Sequence, residues 1–256
     1  MHLILRRIRR YTVQPPKAAQ EARDYSHERF TRPLPSRKGC DFMCCSYYME
    51  ESSTIKPYID MAYRNPLREK TVCKLARPFI TSGEVKPKDI TVAIALTHKG
   101  KRSAFPMVWG FTGKESCVLS VKVETIEQNQ ALKESWERRR CVIPASWYFD
   151  NSQIIFPDGT RAKTDEQYIF QTEGSSFTLL AGIYRIEEDH GIKVPHFALL
   201  TKNAGEQTRR IHDRMPIILD SASLSSWLQL DQNQETLKEI AASSVTDLIV
   251  EKGESD

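Results

Sequence analysis

The stretch RRCVIPASWYFDN, residues 139–151, runs from two arginines through a short apolar segment into three aromatic side chains and a carboxylate. The segment Cys141–Ile143 has the composition of a strand. Comparable strand-like segments occupy residues 90–96, 117–123, 167–172, 177–186 and 196–201. Helical patterns occupy residues 52–64, 131–140, 224–230 and 234–242. The sequence therefore predicts one α+β domain that is rich in antiparallel strands.

The composition is that of an ordinary globular protein, with 40% hydrophobic and 27% charged residues in a chain of 256. No apolar run approaches the roughly 20 residues that a membrane-spanning helix needs. The first ten residues lack the long apolar region of a secretory signal. The six cysteines show neither a C-x-x-C pair nor a matching histidine spacing. We therefore expect a reduced, cytoplasmic protein without structural disulfides or zinc.

Charge is unevenly distributed along the chain. Residues 1–42 carry ten basic and four acidic side chains, whereas the remaining residues carry 27 basic and 29 acidic ones. Nucleic-acid binding by the body of the protein would therefore require a local basic groove rather than bulk positive charge.

Residues 1–42 show no sustained periodicity and are predicted to be a basic, mostly disordered leader. Two alternatives stay open: a tail that adds phosphate affinity, or a segment that is never made because translation starts at Met43. The predicted domain covers residues 43–248, and a flexible tail is predicted over residues 249–256.

Several short motifs follow one another in a fixed order after Met43. They are MC (43–44), EVKPKD (84–89), FPMVWGF (105–111), VET (123–125), RRCVIPASWYF (139–149), LAGIY (180–184), TKNAG (201–205), IHDRMPIIL (211–219) and WL (227–228). Together they resemble the SOS response-associated peptidase (SRAP) family of abasic-site processing proteins. The resemblance implies a single SRAP-like domain with a barrel-like core and flanking helices.

The resemblance implies chemistry at Cys44, made amino-terminal by loss of Met43 or of the whole leader. A free terminal cysteine offers an α-amine with a pKa of about 7.7–8.0 beside a thiol near 8.5. The amine can form a Schiff base with the aldehyde of an abasic site, and the thiol then closes a thiazolidine ring. An internal cysteine cannot do this because its nitrogen is an amide.

Three further catalytic positions follow from the resemblance. Ser120 occupies the place of an asparagine that positions the linkage, and Asp150 that of a glutamate general acid/base. His212 matches the family histidine, whose imidazole titrates near neutral pH. Cys45 and Ser46 depart from the family's glycine and arginine. A glycine and a bidentate phosphate contact are thereby lost next to the reacting amine.

The expected partner is single-stranded DNA that contains abasic sites, or its junction with duplex, bound by a monomer without any cofactor or metal. The predicted DNA-binding residues are Lys122, Arg140, Trp147, Lys202, Arg209 and Arg210. Glu124 is predicted to be a structural hydrogen-bond partner, and Asp213 is predicted to pair with Arg214. The resemblance also implies association with the nucleoid during DNA damage.

Two other functions remain open on the sequence alone. The changes at Cys45, Ser46, Ser120 and Asp150 are compatible with a module that binds DNA without crosslinking it. A Cys–His thiol peptidase that acts on other proteins is the third possibility, and it would work with the leader still attached.

Overall fold

The computed structural model describes residues 46–113, 116–158 and 161–253. Cys44, Cys45 and the predicted leader lie outside these ranges. The strands are β1 (Ser46–Met49), β2 (Phe79–Ile80), β3 (Gly83–Val85), β4 (Ile90–Leu96), β5 (Arg102–Trp109), β6 (Ser120–Lys122), β7 (Arg140–Ala145), β8 (Trp147–Ile155), β9 (Arg161–Thr172), β10 (Thr178–Asp189), β11 (Ile192–Asn203), β12 (Arg214–Pro216), β13 (Ile218–Leu219) and β14 (Leu248–Lys252). The helices are α1 (Lys56–Tyr63), α2 (Pro66–Leu75), α3 (Lys133–Arg138), α4 (Glu206–Arg209), α5 (Ser223–Leu228) and α6 (Gln234–Ala242), with a 3-10 helix over Val123–Gln128.

Two sheets organise the described residues. The first has the strand order β14-β9-β8-β1-β3 and is antiparallel throughout. In the second, β11, β5, β4, β7 and β10 form a closed circuit, because β10 and β11 also pair with each other. The predicted α+β fold with a barrel-like core and flanking helices is thereby confirmed.

Closure of the second sheet into a barrel explains why the sequences of its central strands are continuously apolar and do not alternate between apolar and polar residues. Every residue of β7 and almost every residue of β4 is buried, as expected for strands covered on both faces. The helices α3, α5 and α6 cover one side of the barrel through Trp136, Trp227 and Leu237. None of the helices in the described ranges is long and apolar enough to cross a membrane.

Several predicted boundaries differ from the structure. The first helix begins at Lys56 rather than residue 52, with Pro57 in its first turn, where a proline costs no hydrogen bond. The strand predicted over 117–123 is restricted to β6, because the chain turns into the 3-10 helix at Val123. The prediction of a flexible tail from residue 249 is wrong for residues 249–252, which pair with β9 as part of β14.

The hairpin of β8 and β9 is the element that the sequence pattern did not predict in full. Polar residues 150–153 interrupt the apolar pattern of β8, so this strand has no clear period of two. The structure nevertheless continues the ladder through them, with one register shift between Asn151 and Gln153. This irregular stretch carries the residues of the candidate site.

Candidate active site

Asp150 lies on β8, and its side chain is almost completely buried. Strand pairing sets Phe149 opposite Ser46, the first described residue of the chain. The Lys163 ammonium lies 3.4 Å from Asp150 Oδ1, and the Asn151 backbone N–H donates to the same oxygen at 2.9 Å. A buried carboxylate requires such partners, because an unpaired charge out of water is costly.

His212 lies in the turn between α4 and β12 and is 5% exposed. The Arg214 backbone N–H donates to His212 Nδ1 at 3.0 Å. The proton of the neutral ring is therefore on Nε2, which lies 2.5 Å from the Gln153 carboxamide nitrogen. Rotating that amide by 180° places its oxygen there as the acceptor for Nε2–H. Burial lowers the pKa of His212, although the charges of Asp150 and Asp213 oppose this effect.

A backbone hydrogen bond fixes the histidine turn against β8. The Gln153 N–H donates to the Ile211 carbonyl at 2.8 Å, and the His212 N–H donates to the Thr208 carbonyl at 2.9 Å. Asp150 and Lys163 therefore come from one sheet, whereas His212 precedes an edge strand of the other. The result is a buried carboxylate, an ammonium and a neutral imidazole within electrostatic range of one another, which can exchange protons with a bound substrate.

Lys163 and Gln153 are the site residues that sequence reasoning missed. They lie opposite each other on β9 and β8. The only signal for Lys163 in the sequence is a cation thirteen residues after the carboxylate of Asp150. That spacing indicates a contact only when the pairing of β8 with β9 is known. The register shift in β8 decides that alignment, so the signal was not usable without the structure.

The prediction that Arg140 binds DNA is wrong. Its side chain is 3% exposed, and the guanidinium donates to the carbonyls of Trp227 and Trp136, each at 2.7 Å, of Glu137 at 2.6 Å and of Gln229. Burial lowers the pKa of Arg140 to about 10, so the group stays charged at neutral pH. Arg140 caps the carboxyl ends of α3 and α5, because the last carbonyls of a helix have no hydrogen-bond donor within the helix.

Two other predicted DNA contacts are occupied by the protein itself. Lys202 donates to the carbonyls of Ser244 at 3.3 Å and Ala242 at 3.5 Å, beside the carboxyl end of α6, and burial lowers its pKa. The Trp147 ring stacks on Tyr48 with centroids 4.5 Å apart and planes 5° apart. That ring face is therefore unavailable to a nucleobase.

The remaining predicted residues lie at different places in the fold. Ser120 begins β6, is half-buried and pairs with Leu199 of β11, so it belongs to the sheet that does not contain Asp150. Lys122 ends the same strand and is exposed. Arg209 and Arg210 are exposed at the end of α4, immediately before the histidine turn.

The predicted structural role of Glu124 agrees with its contacts. Arg214 donates to both Glu124 oxygens, at 2.9 and 2.7 Å. Burial raises the pKa of Glu124, but these hydrogen bonds outweigh it and leave the pKa below its usual value. The expected pairing of Asp213 with Arg214 is wrong, since Asp213 instead pairs with Arg161 on β9 at 2.6 Å. Both ion pairs hold the histidine turn from its two sides.

No group of three or more His, Cys, Asp or Glu side chains within the described ranges is placed to hold a metal ion.

With this geometry established, the comparisons with known proteins decide the family. The model of the SOS response associated peptidase (SRAP) family matches residues 43–252. The chain belongs to the SRAP family. The matched region ends at the last residue of β14, which supports the corrected domain boundary.

Curated relatives of this SRAP protein are distant in sequence. The abasic site processing protein YoaM of Bacillus subtilis is 26% identical over 112 residues, or 43% of this chain and 47% of the relative. The abasic site processing protein YedK of Escherichia coli is 23% identical over 141 residues, or 54% of this chain and 60% of the relative. The aligned part thus spans about half to three-fifths of the curated relatives it matches.

Solved structures support the fold over most of the domain. A Bacteroides thetaiotaomicron protein superimposes with a TM-score of 0.61 at 17% identity, covering 83% of this chain and 93% of that protein. A Bordetella bronchiseptica protein gives a TM-score of 0.59 at 16% identity, covering 83% of this chain and all of that protein. Identities this low bear on the fold alone.

Proposed function

We propose that this SRAP protein traps abasic sites in single-stranded DNA as a covalent thiazolidine at Cys44. The observation that carries the proposal is the convergence of Asp150 and His212 beside β1. Its residue Ser46 pairs with Phe149 and lies two positions after Cys44 in the sequence. Membership in the SRAP family and the names of the curated relatives support an abasic site as the substrate.

Covalent geometry allows Cys44 to reach this site. Cys44 lies two positions before Ser46 in the sequence, and two extended residues span roughly 7 Å. Ser46 lies opposite Phe149, the neighbour of Asp150. A residue two positions before Ser46 is therefore within reach of the Asp150 carboxylate and of a substrate bound beside it.

The reaction balances without an external cofactor. The α-amine nitrogen of Cys44 adds to the C1′ aldehyde carbon of the ring-opened sugar, and loss of water leaves an imine. The thiol sulfur then adds to the imine carbon, its proton passes to the nitrogen, and a five-membered ring closes. Asp150 and His212 are suited to shuttle the protons that the addition and the dehydration require.

Ser120 and the exposed basic residues complete the proposal. Ser120 retains a hydroxyl that can hydrogen-bond to the adduct, although it lies in the other sheet from Asp150. Lys122, Arg209 and Arg210 are exposed and can contact DNA phosphates, which supplies salt-dependent affinity. A single strand is favoured as substrate because no base pair has to be opened to expose the sugar.

The test compares the full chain with a chain that starts at Met43, each incubated with a single-stranded oligonucleotide that contains one abasic site. The chain from Met43 should give an adduct that survives denaturing electrophoresis, whereas a full chain shown by intact mass to retain its leader should give none. Cys44→Ser keeps the amine, so it should give only a borohydride-trappable imine, and Cys44→Ala should likewise lose the stable adduct. Cys45→Ala is the matched control and should still crosslink.

An unchanged adduct with Cys44→Ala would overturn the proposal. Salt-sensitive DNA binding without any adduct would instead identify a non-crosslinking DNA-binding module. Protein hydrolysis by the full chain with its leader attached would favour a thiol peptidase.

A further inference from the structure

The far end of the β8–β9 hairpin exposes three consecutive large apolar side chains. Ile154, Ile155 and Phe156 are 53%, 61% and 45% exposed, although other large apolar residues of the same sheet are mostly buried. Contiguous exposed apolar side chains are candidates for an interaction surface. We call these three residues the hairpin tip.

The hairpin tip presents apolar surface on two faces. Successive residues of a strand point to opposite sides of the sheet, so Ile154 and Ile155 face in opposite directions. Both are exposed, and their partners across the ladder are Ala162 and Arg161. The neighbouring strands pair with residues 147–149 of β8 and residues 168–172 of β9, so this part of the hairpin extends beyond them as a narrow wedge with apolar side chains on both faces.

The hairpin tip is held in a defined position relative to the candidate active site. The Gln153 N–H donates to the Ile211 carbonyl at 2.8 Å, and Arg161 pairs with Asp213 at 2.6 Å. These contacts attach both strands of the hairpin to the turn that carries His212. Ile154 lies four positions after Asp150 along β8, which corresponds to roughly 13 Å.

Cationic side chains lie on the segments that pair with or attach to this end of the hairpin, and one of them, Arg161, pairs with Asp213. Arg161 faces Ile155 across the ladder and is 45% exposed in its side chain. Arg209 and Arg210 are exposed just before Ile211, whose carbonyl bonds to β8. An apolar wedge flanked by arginines matches a nucleic-acid strand, which combines apolar base faces with anionic phosphates.

The size of the hairpin tip argues against a protein partner. Three half-exposed side chains offer a few hundred Å² at most, whereas each partner in a stable protein–protein interface buries roughly 800 Å². Stacking against one or two nucleobases needs only the area of a single ring face. The available surface therefore fits a base rather than a second folded chain.

From this placement, which rests on the proposed function, we propose that the hairpin tip inserts between bases of the DNA strand that continues from the abasic site. Phe156 stacks on a base, and the two isoleucines fill the space on either side of the wedge. The wedge thereby fixes the strand while Asp150 and His212 act on the lesion sugar.

The test separates stacking from crosslinking. The DNA is a single-stranded oligonucleotide with a tetrahydrofuran abasic analogue, which has no aldehyde, and with 2-aminopurine placed in turn at positions one to six on either side. Binding of the full chain should change 2-aminopurine fluorescence at positions on one side of the lesion. Phe156→Ser should abolish that change and raise Kd between about fivefold and a hundredfold, as expected for the loss of one stacked base.

The matched control is Ile186→Ser, which removes another exposed apolar side chain, 46% exposed on β10. It should leave both the fluorescence change and Kd as in the wild type. Phe156→Tyr should retain them, which separates loss of stacking from misfolding of the hairpin.

The two proposals fail in different ways. Crosslinking through Cys44 with no fluorescence change at any position, and with Kd unaffected by Phe156→Ser, overturns the wedge alone. Absence of a Cys44 adduct together with a Phe156-dependent fluorescence change overturns the covalent mechanism and supports the wedge. A dimer that dissociates in Phe156→Ser without any effect on DNA binding assigns the hairpin tip to self-association and overturns the wedge.

Discussion

Two cations in this protein, the buried Arg140 and the partly buried Lys163, have different surroundings. Arg140 lies at the start of β7 and, among the described residues, donates to backbone carbonyls at the ends of α3 and α5. Lys163 faces a carboxylate, Asp150, beside a neutral imidazole. A guanidinium surrounded by carbonyls stabilises the fold, whereas the ammonium beside an acid and a base is part of the candidate active site. Charge alone, which is all that the sequence offers, does not separate the two cases.

The largest expected effect is on stability at Arg140. Arg140→Met leaves several buried carbonyls without donors, so the free energy of unfolding should fall by about 3 kcal/mol or more. Urea denaturation followed by tryptophan fluorescence measures this change. Arg139→Met is the matched control, because Arg139 is half-buried and pairs at the surface with Glu134. Its cost should be below about 1 kcal/mol, and equal costs at both positions would contradict the structural role of Arg140.

The next effect is on the rate of crosslinking at the Asp150–Lys163 pair. Asp150→Asn removes a proton-transfer group and should slow adduct formation by about a hundredfold. Lys163→Met should also slow it and should change its dependence on pH, because Asp150 loses its cationic partner. Lys163→Arg should recover most of the rate. If the two residues act together, the double variant should be little slower than Asp150→Asn. If the effects of the two single substitutions on the activation free energy add in the double variant, the two residues have independent roles.

A pH dependence follows from the lowered pKa of His212. The unfolded chain takes up the proton of this histidine near pH 6.5, whereas the folded protein takes it up only at a lower pH. The stability that His212 contributes is therefore present above about pH 6.5 and is lost as the pH falls through the folded pKa. His212→Gln should flatten this part of the curve of unfolding free energy against pH. An unaltered curve would contradict burial of the neutral imidazole.

The smallest expected effects are on DNA affinity. They distinguish the cations expected to contact DNA from those that donate to carbonyls of the protein itself. Arg210→Ala should weaken DNA binding several-fold. It should also reduce the slope of log Kd against log salt concentration by about one. Lys202→Met should leave the slope unchanged, since the Lys202 ammonium bonds to the Ala242 and Ser244 carbonyls. Binding to a tetrahydrofuran-containing oligonucleotide at several salt concentrations measures both slopes. A reduced slope for Lys202→Met would show that this lysine also neutralises a phosphate.

The strands with continuous apolar character were predictable, and the irregular ones were not. Residues 90–96 form β4 with the expected bounds, and residues 234–242 form α6. In both segments, local composition and tertiary environment agree. In β8, polar residues occupy strand positions because neighbouring strands and the histidine turn satisfy them, so the local pattern gave no clear strand signal.

The residues of the candidate site also divide into those that the sequence predicted and those that only the structure revealed. The resemblance identified Asp150 and His212 because short motifs surround them, and the structure brings the two within electrostatic range. It did not identify Lys163 or Gln153. The pairing of β8 with β9 places Lys163 beside Asp150, and the turn before β12 places His212 beside Gln153. It also assigned Arg140 to DNA, because adjacent arginines look alike in a sequence although one of them is buried.

By itself, the sequence determined the family, the α+β class and the order of the motifs, because apolar periodicity and motif spacing are properties of neighbouring residues. Only the tertiary structure decided which charges are buried, which face a substrate and which apolar residues protrude. Those outcomes depend on contacts between segments that lie far apart in the chain, where burial and pairing change the free energy of a charge by several kcal/mol.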